Sequence, residues 1–362
     1  MRLFLYRPDH ERLAARLEAF PGLDIAVMDD GKAVCGADGG AIDRHAVAPE
    51  AAYASSGLYT HGPVRAFFGV LRHAGTLRWL QSGAAGHDAP VFPLLARGGA
   101  VICNSDAAAP AVADYVMAGV MEAFHRGEER RKQQRGRLWH RVEFREITDT
   151  RWLVFGMGHI GRAVARRAKG FDAHVTGVRR NPAGDEPADG TIAPAGLARA
   201  LPEADVVVLT APLTEETRGL VDAAFLGAMK AGSVLVNVAR GGLVDERALV
   251  AALDRGRPAH AVLDVFEEEP LPAWSRFWSH PRVLMSAHCA AASPGTARRN
   301  DALFLDNLDR FLAGRPLRMR IDPALLAGGA GQESGRLQSP VQTASSLPSG
   351  SAKWKRLPPG KP

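Results

Sequence analysis

Cysteine is scarce in this chain. Only Cys35, Cys103 and Cys289 occur among 362 residues, and no two share a paired spacing. That argues against a disulfide framework and a cysteine-built zinc site, and it points to a reducing, cytoplasmic setting. Long apolar runs are missing too. No stretch approaches the roughly 20 residues needed to cross a bilayer, so no membrane span is expected. Residues 1–8 carry a brief Leu-Phe-Leu-Tyr run without the apolar core of a secretory signal, and read as a first strand. The body of the chain also lacks an excess of either charge. The formal charge is +6, but Arg336, Lys353, Lys355, Arg356 and Lys361 against Glu333 place most of it beyond residue 330. A near-neutral body argues against a nucleic-acid groove. Hydrophobic residues make up 46% of the chain, enough for two cores.

The most informative segment is 152–161, Trp-Leu-Val-Phe-Gly-Met-Gly-His-Ile-Gly, followed by Arg-Ala-Val-Ala-Arg-Arg-Ala-Lys and Gly170. A buried strand feeds a glycine turn, and the turn opens a helix. This is the dinucleotide-binding fingerprint in its required context. Gly156 allows the tight turn. Gly158 lets the backbone approach a pyrophosphate. Gly161 lets the helix pack close to the strand. Free N–H groups at the helix start, at His159 and Ile160, would hold the phosphates. A second strand at 174–178 ends in Arg179-Arg180-Asn181-Pro182. A carboxylate about 20 residues past the last glycine would accept from the ribose 2′-hydroxyl of NAD. Arginine stands there instead, and a guanidinium pairs with a 2′-phosphate. NADP is therefore the expected cofactor, held at Arg179 and Arg180, in preference to NAD.

Strands and helices alternate from 151 to 288. Strands are expected at 152–155, 174–178, 205–210, 233–238, 261–265 and 283–287, with helices at 223–230 and 244–254 among them. Continuous runs such as Val206-Val207-Val208-Leu209 suggest strands buried on both faces of a doubly wound parallel sheet. Earlier, strands are expected at 2–6, 24–28 and 77–81, and helices at 11–20, 64–73 and 110–125. A further helix spans 294–313 and stops at Gly314. From about 326, Gly, Ser and Pro dominate and periodicity ends, which reads as a disordered tail with a solvated Lys353-Trp354-Lys355-Arg356 cluster. Ligands of open α/β sheets bind at the carboxyl ends of strands. Arg240 follows one late strand, a Glu267-Glu268-Glu269-Pro270 run the next, and His288 ends the last, so an arginine, a carboxylate and a histidine are expected to converge.

Five segments in order resemble the D-isomer-specific 2-hydroxyacid dehydrogenases: Gly156-Met-Gly-His-Ile-Gly161, Ala211-Pro-Leu-Thr-Glu-Glu-Thr217, Val236-Asn-Val-Ala-Arg-Gly-Gly242, Leu263-Asp-Val-Phe-Glu-Glu-Glu-Pro-Leu-Pro272 and Ser286-Ala-His-Cys-Ala-Ala291. The resemblance covers roughly residues 75–320. It implies that Arg240, Glu269 and His288 form the catalytic triad, that Asp264 holds the nicotinamide carboxamide, and that Pro212 lies at the cofactor. Glu269 is singled out of the glutamate run because it directly precedes Pro270. Gln81-Ser82-Gly83-Ala84-Ala85-Gly86-His87-Asp88 is similar to the family's glycine loop, which implies that backbone N–H groups at Ala85 and Gly86 grip a substrate carboxylate. His87 departs from the small or aliphatic residue common there. Trp139 would reach a pocket of a partner subunit, as in some relatives, or pack at an interface. The chemistry suits these residue types. Arg240 would bridge the carboxylate and carbonyl of a 2-keto acid, and His288 would donate a proton as hydride arrives, with Glu269 favouring the imidazolium.

The expected architecture is α/β and two-domain. A doubly wound parallel-sheet (Rossmann) cofactor domain over 102–289 is inserted in a flavodoxin-like substrate domain made of 1–101 and 290–325, with 326–362 as tail. The implied activity is reduction of a small 2-keto acid, glyoxylate or hydroxypyruvate foremost, to the D-2-hydroxy acid by a homodimer. The related formate dehydrogenases carry a glutamine beside the histidine, against which Glu269 argues. A nucleotide-sensing binding protein, like the co-repressors built on this fold, is the alternative. Residues 29–62 match no motif, and the charged stretch 126–150 leaves the domain junction open.

Overall fold

A computed structural model of the chain describes residues 1–182 and 184–327. Thirteen strands form two sheets among the described residues. The first sheet contains β1 (Arg2–Tyr6), β2 (Asp24–Met28), β3 (Val34–Gly36), β4 (Ala51–Ala54), β5 (Trp79–Ser82) and β6 (Val101–Cys103). Its order is β3-β2-β1-β4-β5-β6, with only the edge strand β3 antiparallel. Without that edge strand it is the flavodoxin-like order. The second sheet contains β7 (Arg151–Phe155), β8 (His174–Val178), β9 (Gly190–Ile192), β10 (Val206–Leu209), β11 (Val234–Asn237), β12 (His260–Leu263) and β13 (Val283–Met285). It is parallel throughout, in the order β13-β12-β11-β10-β7-β8-β9. This is the doubly wound dinucleotide-binding order, and it reverses between β7 and β10.

The helices are α1 (Arg7–Leu17), α2 (Ser56–His61), α3 (Val64–Ala74), α4 (Val91–Arg97), α5 (Ala109–Phe124), α6 (Gly127–Arg135), α7 (His159–Lys169), α8 (Leu197–Ala200), α9 (Ala223–Ala228), α10 (Glu246–Asp254), α11 (Pro294–Leu312) and α12 (Pro323–Ala327). Both sheets are covered on both faces. In β10, Val206 and Val208 enter one core while Val207 and Leu209 enter the other, and all four are fully buried. Period-two alternation between two apolar layers is why the strand reads as a continuous apolar run. β1 does the same in the first sheet: Phe4 and Tyr6 face one core, Leu3 and Leu5 the other. Helix α11 packs Phe304, Leu305 and Leu308 onto that second face, so the chain returns to the first sheet after completing the second. Helix α5 instead contributes Val112, Val116 and Val120 to the core of the second sheet and lies beside α7.

Several expectations need correction. Helix α1 begins at Arg7 and not 11, because Pro8 suits a first turn, and it ends at Leu17. Strand β5 starts at Trp79 rather than 77. Strands β3, β4, β6 and β9 are additional. Residues 326 and 327 end α12, and Leu326 packs into the core of the first sheet, so order extends past the expected start of the tail. The rest of that segment, 328–362, with the basic Trp354 cluster, lies outside the described residues.

Candidate active site

The glycine turn after β7 lies where the strand order reverses. Gly156 has φ +102, and a Cβ there would sit 2.6 Å from the Ala211 backbone nitrogen. Only glycine accommodates both constraints. Thr210, after β10, donates its hydroxyl to Gly156 O at 2.6 Å and closes the turn against the neighbouring strand. At Gly161 a Cβ would overlap the Gly156 carbonyl, which is how close α7 comes to β7. Gly158 caps α7 with no side-chain acceptor, and the space in front of it is open to 4 Å. The first-turn N–H groups at His159 and Ile160 therefore face a bare cradle, as an anion requires. The residues present fit a dinucleotide pyrophosphate.

At the end of β8 the two arginines differ. Arg179 Nη1 donates to Glu186 Oε1 at 2.8 Å, and the Glu186 side chain is only 1% exposed. Glu186 Oε2 also accepts from the Gly184 N–H at 2.8 Å. Arg180 is 70% exposed and lies 3.6 Å from an equally exposed Glu216. The guanidinium that was expected at the 2′-phosphate is thus already engaged by a buried carboxylate, while its neighbour is barely held. Pro212 lies on the segment after β10, and its carbonyl accepts from Thr217 Oγ1 at 2.8 Å.

The polar residues at the ends of β11, β12 and β13 come together. His288 Nδ1 lies 2.7 Å from Glu269 Oε2. Glu269 Oε1 accepts from the Phe266 N–H at 2.9 Å. Burial works to raise the Glu269 carboxyl, but the His288 hydrogen bond and charge, the Phe266 N–H and the nearby Arg240 outweigh it and hold it below its ordinary value. An ionised carboxylate can only accept, so Nδ1 carries the shared hydrogen and Nε2 faces outward. His288 adopts φ +51, a left-handed conformation that costs a non-glycine residue about 1 kcal/mol. Its N–H donates to the Asp264 carbonyl at 2.7 Å, which helps to hold that conformation. The Asp264 carboxylate is buried. It accepts from Ser286 Oγ at 2.5 Å, from the Cys289 N–H at 2.8 Å and from the Ala290 N–H at 3.0 Å. In this structure it braces the histidine-bearing turn, a task the sequence did not suggest.

Arg240 leaves the end of β11 and meets the loop after β5. Its Nε and Nη2 donate to Asp88 at 2.8 and 2.9 Å, and its Nη1 donates to the Ala239 carbonyl at 2.7 Å. Ala85 and Gly86 lie on that loop, and a Cβ on Gly86 would overlap Arg240 Nη2. The loop is braced from behind. Asn300 of α11 donates to Gly83 O at 3.2 Å and accepts from Ser105 Oγ at 2.5 Å, and Asn104 donates to Ala85 O at 2.9 Å. Asp88, Ser105, Asn300 and Ser286 escape a reading of the sequence. Asp88 and Ser286 both stood inside quoted motifs, two residues after Gly86 and two before His288. Trp139 lies fully exposed in the segment after α6, with Leu138 and Phe144 more than half exposed in the same segment.

A doubly wound nucleotide sheet, a flavodoxin-like sheet and an Arg–Glu–His cluster between them define a pyridine-nucleotide-dependent oxidoreductase. Comparison with known proteins specifies the family. Residues 117–290 match the model of the D-isomer specific 2-hydroxyacid dehydrogenase NAD-binding domain. The chain is 34% identical over 260 residues to a glyoxylate reductase of Thermococcus gammatolerans, covering 68% of this chain and 76% of that protein. It is 34% identical over 183 residues to glyoxylate/hydroxypyruvate reductase A of Yersinia enterocolitica, a match spanning 50% of this chain and 58% of that one. A D-isomer specific 2-hydroxyacid dehydrogenase from Xanthobacter autotrophicus Py2, solved with NADPH and MES, superposes with a TM-score of 0.70 at 28% identity, covering 90% of this chain and 99% of that one. The chain belongs to the D-isomer specific 2-hydroxyacid dehydrogenase family.

Proposed function

We propose that this protein reduces a small 2-keto acid, of the glyoxylate or hydroxypyruvate kind, to the D-2-hydroxy acid with NADPH. The observation that carries the reading is the 2.7 Å contact of His288 Nδ1 with Glu269, with Arg240 close enough to lower the same carboxylate. Names of the relatives support the substrate class, and the NADPH complex of the Xanthobacter protein supports the cofactor.

Each residue has a defined task in this reading. Glycines 156, 158 and 161 and the N–H groups of His159 and Ile160 seat the pyrophosphate, with Pro212 beside them. Arg180 sets the preference for the 2′-phosphate, and Arg179, held by Glu186, shapes the loop that presents it. The reduced nicotinamide, when bound, supplies hydride. Arg240 grips the substrate carboxylate and polarises the adjacent carbonyl, helped by N–H groups at Ala85 and Gly86. His288 Nε2 holds the proton that the carbonyl oxygen receives, and Glu269 stabilises the charged ring until it is given up. Asp264 keeps the His288 turn in place, and by the family resemblance it would hold the nicotinamide carboxamide. The unit of the first sheet, which runs through β6 at Cys103 and so past the expected boundary at 101, acts with α11 as the substrate domain, and the unit of the second sheet acts as the cofactor domain, with the cleft between them excluding water on closure. A homodimer follows from the same reading, and the exposed Leu138, Trp139 and Phe144 support it, since such an apolar set wants a cover.

The test is loss of nicotinamide absorbance with NADPH or NADH and glyoxylate, hydroxypyruvate, pyruvate or phenylpyruvate. Rapid oxidation with a small acid, faster with NADPH, is expected. Tight cofactor binding without turnover of any acid would refute the reading and favour a nucleotide-sensing protein.

A further inference from the structure

Asp88 stands on the loop after β5, in the first unit, and Arg240 at the end of β11, in the second. Their side chains meet across the cleft, with Nε donating to Oδ2 at 2.8 Å and Nη2 donating to Oδ1 at 2.9 Å. This pair takes the side edge of the guanidinium, the edge made by Nε and Nη2. Nη1 gives one hydrogen to the Ala239 carbonyl. Among the described residues no other carboxylate pairs with Arg240, and its head edge, made by Nη1 and Nη2, suits a second planar carboxylate. Gly86 permits the arrangement, because a side chain there would overlap Nη2.

We propose that Asp88 is a positioning residue: it holds Arg240 by its side edge, presents the head edge to the substrate carboxylate, and ties the 83–88 loop to the opposite wall of the cleft. The proposal rests on the reading of Arg240 as the substrate-binding arginine. Two features suit Asp88 to the role. Its loop is itself fixed, by the Gly83 N–H on Ala54 O at 2.7 Å and by Asn300 and Ser105 behind it. Its carboxyl stays ionised over the working range: burial would raise it, but the Arg240 hydrogen bonds and charge outweigh that and hold it at about 2. The arrangement has a cost. A fixed anion on Arg240 weakens its field at the substrate, so Asp88 helps only if orientation matters more than raw charge. The opposite balance would make Asp88 a competitor for the arginine, and kinetics separate the two.

The experiment is steady-state kinetics of Asp88→Asn with glyoxylate and NADPH. Asparagine keeps the shape and removes the charge. Positioning predicts that KM for glyoxylate rises by about tenfold or more, the effect of removing a charge-assisted pair that fixes a binding group, with a smaller fall in kcat. KM for NADPH and the melting temperature stay near wild type, which a merely structural role would not allow. Inhibition by oxamate, a carboxylate-bearing analogue, weakens in parallel. An unchanged KM for glyoxylate overturns the proposal, and a lowered KM overturns it in favour of competition. Should Asp88→Asn fail to fold by circular dichroism, Asp88→Glu, which keeps the charge but shifts it by one methylene, carries the same assay. A raised KM is expected there too, and an unchanged one overturns the proposal. A wild-type protein that turns over no 2-keto acid removes the functional reading and this proposal together, and that result is visible before any variant is made.

Discussion

Arg180→Ala is predicted to remove most of the proposed preference for NADPH, and the expected size follows from how the two arginines are held. Among the described residues Arg180 is paired only with Glu216 at 3.6 Å, both side chains being about 70% exposed. Such a pair contributes ~0–1 kcal/mol, so little is lost when the guanidinium swings to a phosphate. Arg179 is different. Turning it away would leave Glu186, 1% exposed, without that cation. Removing one partner of a buried pair costs about 3 kcal/mol or somewhat less when the other side is partly solvated. Arg180 is therefore the arginine free to meet the 2′-phosphate, and Arg179 shapes the loop that presents it. A charge-assisted guanidinium–phosphate bond contributes ~1.5–2 kcal/mol, or about 10–30-fold in kcat/KM. Arg180→Ala should lower kcat/KM for NADPH by that factor and leave NADH within about twofold. Arg179→Ala should lower the melting temperature by ~5 °C and weaken both cofactors together. The assay is initial rates with each cofactor at fixed glyoxylate. An unchanged NADPH-to-NADH ratio in Arg180→Ala, or a selective loss of NADPH in Arg179→Ala alone, would refute the division of labour.

Two further outcomes are expected. His288→Gln should reduce kcat by about 10²–10⁴-fold, the range for a lost general acid, with NADPH affinity by fluorescence titration unchanged; a fall below tenfold would remove His288 from proton transfer. Asp205 is buried and accepts from Lys230 at 2.6 Å, from Arg145 at 2.6 Å and from the Arg151 N–H at 2.8 Å. Burial works to raise its carboxyl, but these three outweigh it and hold it below its ordinary value. A depressed carboxyl contributes stability that is complete above about pH 4 and fades as pH falls through the folded-state value. Asp205→Ala should therefore cost ~3 kcal/mol in urea melts at pH 7 and less at pH 3, and a loss that does not shrink with acid would contradict the linkage.

The legible part of the fold was the part with a local physical signature. The run Val206-Val207-Val208-Leu209 announced a strand buried on both faces, and β10 is fully buried. Gly156 and Gly161 announced a tight turn and a close helix approach that no other residue permits: Gly156 has a positive φ, and a Cβ on Gly161 would overlap the Gly156 carbonyl. The missed strands lacked such a signature. β4 reads Ala-Ala-Tyr-Ala, with weak intrinsic preference for a strand, and it is a strand because β1 and β5 flank it and its side chains are wholly buried. The convergence of Arg240, Glu269 and His288 was legible because each lies beyond an apolar run, on the side of the sheet where ligands bind, while the choice of Glu269 among three glutamates came from the family resemblance.

The chain alone determined the order of elements, the glycine cradle and the residue types at the strand ends, since these depend on spacing along a few turns of backbone. Tertiary structure decided the pairings. Asp88 is one of 39 carboxylates in the sequence, and its place two residues after Gly86 names no partner for it. It meets Arg240 only because the loop after β5 and the end of β11 are brought together across 152 positions of chain. Glu186 likewise becomes the keeper of Arg179 only when its loop folds back on the end of β8 and water is excluded from the carboxylate. Charges are nearly silent in sequence because solvent screens them equally wherever they stand. Burial and approach within hydrogen-bond distance give each a particular partner, and those exist only in the folded chain.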